Sequence, residues 1–540
     1  MWSFLSLPRL VPTQRVAGMQ LRAKIKVESE NYGFHRSSAL SLTGPMRHEW
    51  SRGLKRYISI ECCTLIGILI LAAVLRLLHL GRESLWYDEA ITAEVVRLDW
   101  GTFLKVLFHV EANSALYYCL LHLWVNLGES EFVLRSLSAL AGVLAVASVY
   151  VLGKRMFDTK VALISAALLA TNSFHIQYSQ EARGYSLLVL FATLSSLFFL
   201  RAIEDSSRIE WAGYILTATL AVYAHSFGLL VLGAHCASLV LVRPRNIPWR
   251  GLLVSDLVIG VLLVPLAIFA LARGPGQISW VSRVGPYDVY YLFASLAGRG
   301  RLLVLAYFVP CSIASLYALR EWVQSKGSFR TWNYAFLLSW LFVPVLTGLV
   351  ISLWRPVLVD RYFVICLPPL ALLAAVGISQ VRPRWAFVCS LVVLLSLSGR
   401  AVLKYYSDRH KEDWRRATAY VVSHASPKDG IFFYLGHGRF AFDYYIRRLN
   451  PTAQRWQLVR PEPFDRTGVS EEVMVQPSES TVTPISTDYG RVWLVLSHND
   501  LEQTGQMETH LIETTLQGNY ANVREQEFRG VQVLLYSKSD

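Results

Sequence analysis

Acidic and basic residues stand at the ends of apolar stretches at three places in this chain, where they could carry out chemistry. The three segments are Trp86-Tyr87-Asp88-Glu89-Ala90, Gln177-Tyr178-Ser179-Gln180-Glu181-Ala182-Arg183 and Asp360-Arg361-Tyr362. Ionisable groups at membrane depth are costly and commonly mark a pathway or a site. A carboxylate there could act as a general base, and a guanidinium group could bind a phosphate through paired hydrogen bonds.

Each segment taken singly also has a purely structural explanation. Asp88 and Glu89 could mark the wetted end of a helix within a Trp/Tyr belt, and Glu181 could simply pair with Arg183. Neighbouring helical residues point about 100° apart, so only one of the two adjacent acids can face a given cavity. His225 adds a titratable donor, although an isolated histidine is more commonly a structural hydrogen-bonding group. We predict that one outward-facing cavity is surrounded by Asp88, Glu181, Arg183, His225 and Arg361.

These residue types suit the transfer of a sugar from a lipid-linked phosphate. The sequence contains no Gly-x-x-x-x-Gly-Lys-Ser/Thr segment, which excludes an ATP-driven step through a P-loop. A phosphate attached to lipid is already a good leaving group, and guanidinium groups stabilise the charge that develops on it. The acceptor hydroxyl needs a base, which an aspartate can supply, and direct attack would invert the anomeric centre. No cofactor is required by this chemistry, and a divalent cation is compatible with it but not indicated.

The composition requires membrane elements to position these residues. Hydrophobic residues make up 53% of the 540 residues and charged residues only 17%, against about 45–50% and about 25% in soluble domains. A single soluble globule is therefore excluded. The net charge of +13 can arise from loops beside membrane helices, so it does not indicate nucleic-acid binding. All seven cysteines lie in apolar stretches, where cysteine behaves as a small hydrophobe, so disulfides are not predicted.

Eleven apolar stretches predict membrane-spanning segments. They are 58–80, 132–152, 161–177, 184–201, 211–225, 228–242, 251–272, 302–320, 332–353, 362–379 and 385–403. A single helix over the 32 residues 211–242 would be about 48 Å long, which exceeds a bilayer core of roughly 30 Å. A break near residues 225–228 also places the basic loops on the same side as the basic N-terminus, as the positive-inside tendency requires.

The two ends of the chain differ from its middle. Residues 1–57 are rich in Lys, Arg, Ser and Gly, and predict a basic, flexible cytoplasmic extension. Eleven spans from 58 to 403 then place residues 404–540 outside the cytoplasm, where helical periodicity in Trp414–Ser423 and short strands at Ile431–Leu435 and Val492–Ser497 indicate an α/β domain. The predicted fold is thus a mostly α-helical polytopic membrane bundle with a C-terminal extracytoplasmic α/β domain.

Several segments resemble a known family, the GT-C superfamily of polytopic glycosyltransferases. Within it the likeness is to the branch with protein O-mannosyltransferases, the bacterial aminoarabinose transferase and related bacterial dolichyl-phosphate-mannose-type enzymes. The similar segments are Leu85–Ala90, Leu116–Tyr118, Leu121–Trp124, Glu131–Arg135, Phe174–Arg183, Tyr223–His225, Asp360–Phe363, Glu412–Arg415 and Phe442–Tyr445. The resemblance covers roughly residues 58–540 through the order and spacing of these segments.

The resemblance implies roles for several residues. Asp88 matches the acid of the family's Asp-Glu motif, which acts as base or organises the acceptor. Glu181 and Arg183 match a second outer-loop signature, and Arg361 with Tyr362 matches a segment expected near the carrier phosphate. Residues 84–128 would form juxtamembrane helices. The chain departs from the family in lacking the usual prolines before Leu116 and in having Gly184, which concerns the shape of the acceptor side.

We therefore predict an inverting glycosyltransferase that moves a sugar from a polyprenyl-phosphate donor to a lipid, glycan or protein hydroxyl outside the cytoplasm, in a bacterial inner membrane. The alternative is a transporter or flippase of lipid-linked saccharides, which also needs polar groups at membrane depth. The predicted catalytic residues are Asp88, Glu89 and Glu181, and the predicted substrate-binding residues are Tyr178, Gln180, Arg183, Tyr185, His225, Arg361 and Tyr362. No metal ligands are predicted.

Overall fold

A computed structural model describes most of the chain. It covers residues 45–108, 112–244, 247–273, 283–408, 411–434, 436–449, 458–460, 489–497, 510 and 512–538. The chain divides into two units, residues 1–62 and 63–540, and the sheet and the candidate site belong to the second. The first 44 residues of the predicted extension lie outside the described residues, and residues 45–57 belong to the first helix.

Nineteen α-helices and five strands are numbered here in chain order. The helices are α1 Pro45–Leu77, α2 Tyr87–Val95, α3 Trp100–Val106, α4 Ala115–Trp124, α5 Glu131–Met156, α6 Thr159–Ala170, α7 Ser173–Ser179, α8 Tyr185–Asp205, α9 Arg208–Ala224, α10 Gly228–Leu241, α11 Trp249–Leu262, α12 Val264–Arg273, α13 Pro286–Leu296, α14 Arg301–Gln324, α15 Phe329–Ser352, α16 Leu367–Gln380, α17 Arg384–Ser407, α18 Trp414–His424 and α19 Gly438–Leu449. A 3₁₀ helix, Asp360–Cys366, leads into α16. The strands are β1 Gly430–Tyr434, β2 Leu458–Arg460, β3 Arg491–Ser497, β4 Asn522–Phe528 and β5 Val531–Ser537.

Within the described residues, seven helices are long and apolar enough to cross a membrane. They are Ser59–Leu77, Glu131–Met156, Tyr185–Asp205, Arg301–Gln324, Phe329–Ser352, Asp360–Gln380 and Arg384–Ser407. The pair Trp249–Leu262 and Val264–Ala272 is bent by 47° and would make an eighth span. Three further predicted spans correspond to the shorter helices α6, α9 and α10. The multi-pass helical fold is confirmed, while the total of eleven spans stays a prediction.

Two of the predicted apolar stretches are interrupted at residues whose side chain or backbone does not continue a helix. The expected helix over 161–177 is wrong in its continuity, because α6 ends at Ala170 and α7 begins at Ser173. Asn172 causes the restart, since its side chain accepts a hydrogen bond from the His175 backbone N–H and so caps α7. The predicted break near 225–228 is present. His225 has extended backbone between α9 and α10, and a Cβ on Gly228 would lie 2.7 Å from the Ala221 carbonyl oxygen, which only glycine avoids.

Three short helices connect the first and second spans. The helices α2, α3 and α4 have 9, 7 and 10 residues, and none reaches the roughly 17 residues that a helical span needs. Asp99 caps α3 by accepting hydrogen bonds from the backbone of Gly101 and Thr102. This arrangement matches the juxtamembrane helices predicted at 84–128, and it leaves α2 to carry the Asp88–Glu89 pair.

The C-terminal region forms a mixed five-stranded sheet with the strand order β2-β1-β3-β5-β4. The strands β2, β1 and β3 run parallel, whereas β5 pairs antiparallel with both β3 and β4. Alternate residues of each strand point to opposite faces. One face, including Phe433 and Trp493, belongs to the same core cluster as α18 and α19, and the other packs on Ile512 and Leu516. The predicted strand residue Leu435 lies outside the described residues.

Candidate functional site

Glu89 is the centre of a buried ion cluster. It lies in the first turn of α2, and its side chain has no solvent exposure. Arg135 of α5 grips both oxygens, with Nε donating to Oε1 at 2.8 Å and Nη2 donating to Oε2 at 2.7 Å. Lys411 Nζ donates to Oε2 at 2.9 Å, and the backbone N–H of Ala182 donates to Oε1 at 2.8 Å. Glu89 thus ties α2 to α5, to the loop after α7 and to the entry of the C-terminal domain.

The two cations keep Glu89 ionised. Burial alone would raise its pKa, but the charges and hydrogen bonds of Arg135 and Lys411 outweigh burial and lower the pKa to about 2. Burial and the neighbouring Arg135 charge lower the pKa of Lys411, and Glu89 opposes that effect. Because both oxygens of Glu89 are occupied, the geometry favours a positioning role for it over the catalytic role predicted from the sequence.

Asp88 has different surroundings from its neighbour. It is half-buried and is not one of the partners that hold Glu89. The carboxylate is close enough to Arg361, Tyr185 and Tyr362 for its charge to act on all three. The adjacent acids therefore separate as helical geometry requires, with one in the ion cluster and the other facing cationic and phenolic groups.

Arg361 lies next to Asp88 and is held by aromatic rings. Its guanidinium carbon lies 5.8 Å from the ring centre of Trp86 and 5.8 Å from that of Tyr362, within the range of cation–π attraction. The preceding Asp360 is engaged elsewhere, because Oδ2 accepts a hydrogen bond from Ser295 Oγ at 2.9 Å and lies 3.5 Å from Arg299 Nη2. The positive charge of Arg361 thus lies near both the Asp88 carboxylate and the cavity.

Arg183 and His225 complete the same side of the site. Arg183 Nη1 donates to Tyr118 OH at 3.3 Å and to Thr92 Oγ1 at 3.4 Å. The imidazole ring of His225 lies 4.9 Å from the ring of Tyr362, and 5.8 Å from that of Tyr185. Of the five residues predicted to surround one cavity, Asp88, Arg183, His225 and Arg361 thus lie near one another, and each comes from a separate segment.

A cavity of about 290 Å³ adjoins this group. Of the predicted residues, Tyr178, Gln180, Glu181 and Arg361 line it. Its lining also includes several residues for which the sequence predicted no role, namely His79, Arg82, Glu83, Trp86, Gln177, Tyr405, Tyr406, Lys411 and Glu412. Arg361 belongs both to this lining and to the surroundings of Asp88, so the cavity and the Asp88 side share one cation.

Several buried polar atoms in the cavity wall have no hydrogen-bond partner among the described residues. They are Oε2 of Glu181 and the indole Nε1 of Trp86, both buried, and Nε of Arg361 is a third buried atom of the wall with no such partner, although other atoms of that guanidinium group are engaged. The other Glu181 oxygen accepts from Gln177 Nε2 at 3.4 Å. An unsatisfied buried polar group costs about 1–3 kcal/mol and calls for an explanation such as a missing ligand. Burial raises the pKa of Glu181, with Glu89 adding to the rise and Lys411 opposing it.

Gln180 has a more structural environment than the sequence predicted. Its amide Nε2 donates to the carbonyl oxygens of Arg76 at 3.1 Å and Leu78 at 2.8 Å, and thereby satisfies the end of α1. Its Oε1 accepts from Tyr405 OH at 2.9 Å. Gln180 therefore fixes the cavity wall, and the prediction that it binds substrate has no direct support in this geometry.

The sequence patterns missed Arg135 and Lys411. Arg135 had a usable signal, since an arginine within an apolar span is costly and implies a partner. Lys411 had none, because it follows the last span in a polar segment and its partner lies 322 residues away. Among the described residues, no group of three or more His, Cys, Asp or Glu side chains could hold a metal ion.

Comparisons with known proteins concern the fold that positions these residues. Residues 113–272 match the family model described as dolichyl-phosphate-mannose-protein mannosyltransferase. A search of curated proteins found no significant match. The chain resembles the structure of ArnT from Cupriavidus metallidurans in the apo state, at 13% identity with a TM-score of 0.57, covering 90% of this chain and 99% of ArnT.

Two further solved structures have the same fold. ArnT from Cupriavidus metallidurans bound to undecaprenyl phosphate matches at 13% identity and a TM-score of 0.55, covering 89% of this chain and 97% of that one. The Archaeoglobus fulgidus oligosaccharyltransferase, in complex with zinc and sulfate, matches at 15% identity and a TM-score of 0.53, covering 86% and 73%. These likenesses confirm the predicted fold, a mostly α-helical polytopic bundle with a C-terminal α/β domain.

Proposed function

We propose that this chain is an integral-membrane glycosyltransferase that moves one sugar from a polyprenyl-phosphate carrier to an acceptor hydroxyl, with inversion. The observation that carries the proposal is that the Asp88 carboxylate lies within charge interaction of Arg361, a cation that also lines the cavity. Undecaprenyl phosphate is bound in one of the ArnT structures that share the fold, which supports a polyprenyl phosphate as the carrier here.

Asp88 serves as the general base in this mechanism. Its carboxylate takes the proton from the acceptor hydroxyl as the hydroxyl oxygen forms a bond to the anomeric carbon. The bond between that carbon and the phosphate oxygen breaks, and the electron pair leaves with the polyprenyl phosphate. Arg361, with Arg183 nearby, stabilises the negative charge that grows on the phosphate. Attack from the face opposite the phosphate inverts the anomeric centre.

The cavity suits the hydroxyl-rich part of a substrate. Its volume of about 290 Å³ corresponds to roughly ten waters at about 30 Å³ each, enough room for a sugar ring but not for a folded peptide segment. The unpartnered Glu181 Oε2 can accept hydrogen bonds from sugar hydroxyls, and the Trp86 indole N–H can donate one. The ring of Tyr178 supplies an apolar face in the cavity wall and packs against the ring of Tyr185.

The sidedness and cofactor requirement are part of the proposal. The break at residues 225–228 and the basic loops support a cytoplasmic N-terminus with the site and the C-terminal domain outside, in a bacterial inner membrane. We also propose that transfer needs no cofactor, because the leaving group is a phosphate that guanidinium groups can stabilise. Transfer that persists after exhaustive treatment with EDTA supports this part, and transfer that returns only with an added divalent cation contradicts it.

The test replaces Asp88 by asparagine in the full chain. Purified protein in detergent receives a panel of undecaprenyl-phosphate-linked hexoses and pentoses with a cell-envelope glycan extract, and released undecaprenyl phosphate is measured. Asp88→Asn should reduce release by about 10²–10⁴-fold, which is the contribution of general-base catalysis. The matched control is Asp205→Asn, because Asp205 is exposed at the end of α8 and pairs there with the partly exposed Arg155 at the end of α5.

The outcomes separate the enzyme from its rival. An enzyme releases the free carrier phosphate, whereas a transporter leaves every donor intact while moving it across a vesicle membrane. Full activity in Asp88→Asn would remove Asp88 from the mechanism, and no release by the wild-type chain with any donor would refute the proposed transfer.

A further inference from the structure

Three cations of the C-terminal domain form ion pairs with acids of α2 and with the first residue of α5. The pairs are Lys411 Nζ with Glu89 Oε2 at 2.9 Å, Arg447 Nη1 with Glu94 Oε2 at 2.7 Å, and Arg415 Nη2 with Glu131 Oε1 at 2.7 Å. In addition, Tyr445 OH accepts a hydrogen bond from the Leu85 backbone N–H at 2.8 Å, one turn before the acids of α2. The domain is therefore fastened to the element that carries Asp88.

Lys411 reaches further into the site than the other two cations. Its side chain is 12% exposed, compared with 41% for Arg415. Its ammonium group also lies 3.4 Å from the carbonyl oxygen of Gln180 in the cavity wall. The Lys411 backbone is fixed at both ends, because its N–H donates to Glu83 Oε2 at 3.2 Å and its carbonyl oxygen accepts from Arg529 Nε at 2.6 Å. Arg529 belongs to the turn between β4 and β5.

We propose that Lys411 is a positioning residue that couples the C-terminal domain to the catalytic side of the site. Its ammonium group holds Glu89, and Glu89 fixes the first turn of α2, from which Asp88 projects towards Arg361. The C-terminal domain is then an integral part of the transferase site. This inference rests on the proposed function for its kinetic consequences, but its structural consequence does not depend on the substrate.

Lys411 can couple the C-terminal domain to α2 because its charge helps to balance the buried carboxylates of the cluster. Arg135 and Lys411 face two carboxylates, those of Glu89 and Glu181, and Arg361 adds a further positive charge near Glu181. Removing the Lys411 charge leaves the two acids with less compensation, which favours protonation of one of them. The expected consequence is a looser α2 and a transfer reaction that fails at a higher pH than in the wild type.

The test compares three variants of the full chain in detergent. Lys411→Met removes the charge, Lys411→Arg keeps it, and Lys428→Met removes an exposed lysine of the same domain as the matched control. Hydrogen exchange of the α2 backbone amides is measured together with kcat, KM and the pH profile for release of undecaprenyl phosphate. If Lys411→Met is not recovered as folded protein, Lys411→Gln takes its place.

We expect α2 amides to exchange at least tenfold faster in Lys411→Met than in the wild type and in Lys428→Met. We also expect a fall in kcat on the order of 100-fold, the size of effect that a displacement of about 1 Å can cause, with KM changed much less. The acid limb should move to higher pH, and Lys411→Arg should recover most of the activity.

Two results would overturn the inference. One is an α2 exchange rate in Lys411→Met equal to that of Lys428→Met, and the other is a loss of activity without a change in exchange or in the acid limb, which would mean direct contact with substrate. If the wild-type chain shows no transfer at all, the proposed function fails, and the exchange experiment still decides whether Lys411 positions α2.

Discussion

Replacing Glu89 by glutamine tests how much its buried ion cluster contributes to the stability of the fold. The substitution keeps the shape of the side chain but leaves the positive charges of Arg135 and Lys411 without their buried counterion. Removing one partner of a buried ion pair typically destabilises a protein by about 3–5 kcal/mol. The shift in pKa gives a similar figure independently. A fall from the ordinary 4.5 to about 2 corresponds to about 3 kcal/mol of folding stability at neutral pH.

The pH dependence has a definite sign. The pKa of Glu89 is lower in the folded chain than its ordinary value, so its contribution is present at pH values well above 4.5. The contribution is lost as the pH falls from about 4.5 towards about 2, where the folded protein also takes up the proton. The difference in stability between the wild type and Glu89→Gln should therefore be constant from pH 8 to about pH 6 and shrink in strong acid.

The assay is the free energy of unfolding of the detergent-solubilised protein in a denaturant series, with Asp205→Asn as the control. A double-mutant cycle with Lys411→Met adds a second measure, since contacting residues should show a coupling energy of about 0.5–3 kcal/mol. A loss of less than about 0.5 kcal/mol in Glu89→Gln, the range of ordinary surface substitutions, would refute the reasoning. So would strict additivity of the Glu89 and Lys411 effects.

Two further predictions concern the cavity and the helix packing. Because burial raises the pKa of Glu181 above its ordinary 4.5, its ionised form destabilises the folded chain at neutral pH. Glu181→Gln should therefore raise the unfolding midpoint without substrate, lower kcat for release of undecaprenyl phosphate and shift the acid limb of the pH profile, which Asp88 as general base still provides. An unchanged profile would exclude Glu181 from the reaction. A Cβ on Gly377 would lie 1.8 Å from the Pro310 carbonyl oxygen, whereas a Cβ on Gly399 would meet nothing within 4 Å. Gly377→Ala should therefore lower the unfolding free energy by about 1–3 kcal/mol through overpacking, and Gly399→Ala should not; equal stabilities would show that α14 and α16 do not pack so closely.

Much of the membrane fold could be predicted because its signals are local. Apolar runs of span length, basic loops and the excessive length of residues 211–242 together predicted the multi-pass bundle and the break at His225. The restart of the helix at Ser173 was missed, because a single capping asparagine inside an apolar stretch gives little signal before its contacts are known. The strands β1 and β3 were recognised from short apolar runs, whereas the register that pairs them depends on both strands at once.

The sequence predicted which residues belong to the candidate site better than it predicted the role of each residue. The segments around Asp88, Glu181 and Arg361 were identified from charges beside apolar stretches, and helical geometry required that only one of the two adjacent acids face the cavity. The sequence analysis chose Asp88 through the family resemblance, but the physical reason could not be deduced, since it depends on Arg135 and Lys411, and these lie 46 and 322 residues away from Glu89.

The sequence by itself determined that this chain is a membrane bundle with ionisable groups at its helix ends, because hydropathy and charge act over a few neighbouring residues. Only the tertiary structure decided that Glu89 is locked between two cations, that Asp88 is left to face Arg361, and that a lysine from the C-terminal domain completes the cluster. The strength of an electrostatic interaction depends on the distance between two groups in space and on their burial, and the spacing of residues along the chain predicts neither.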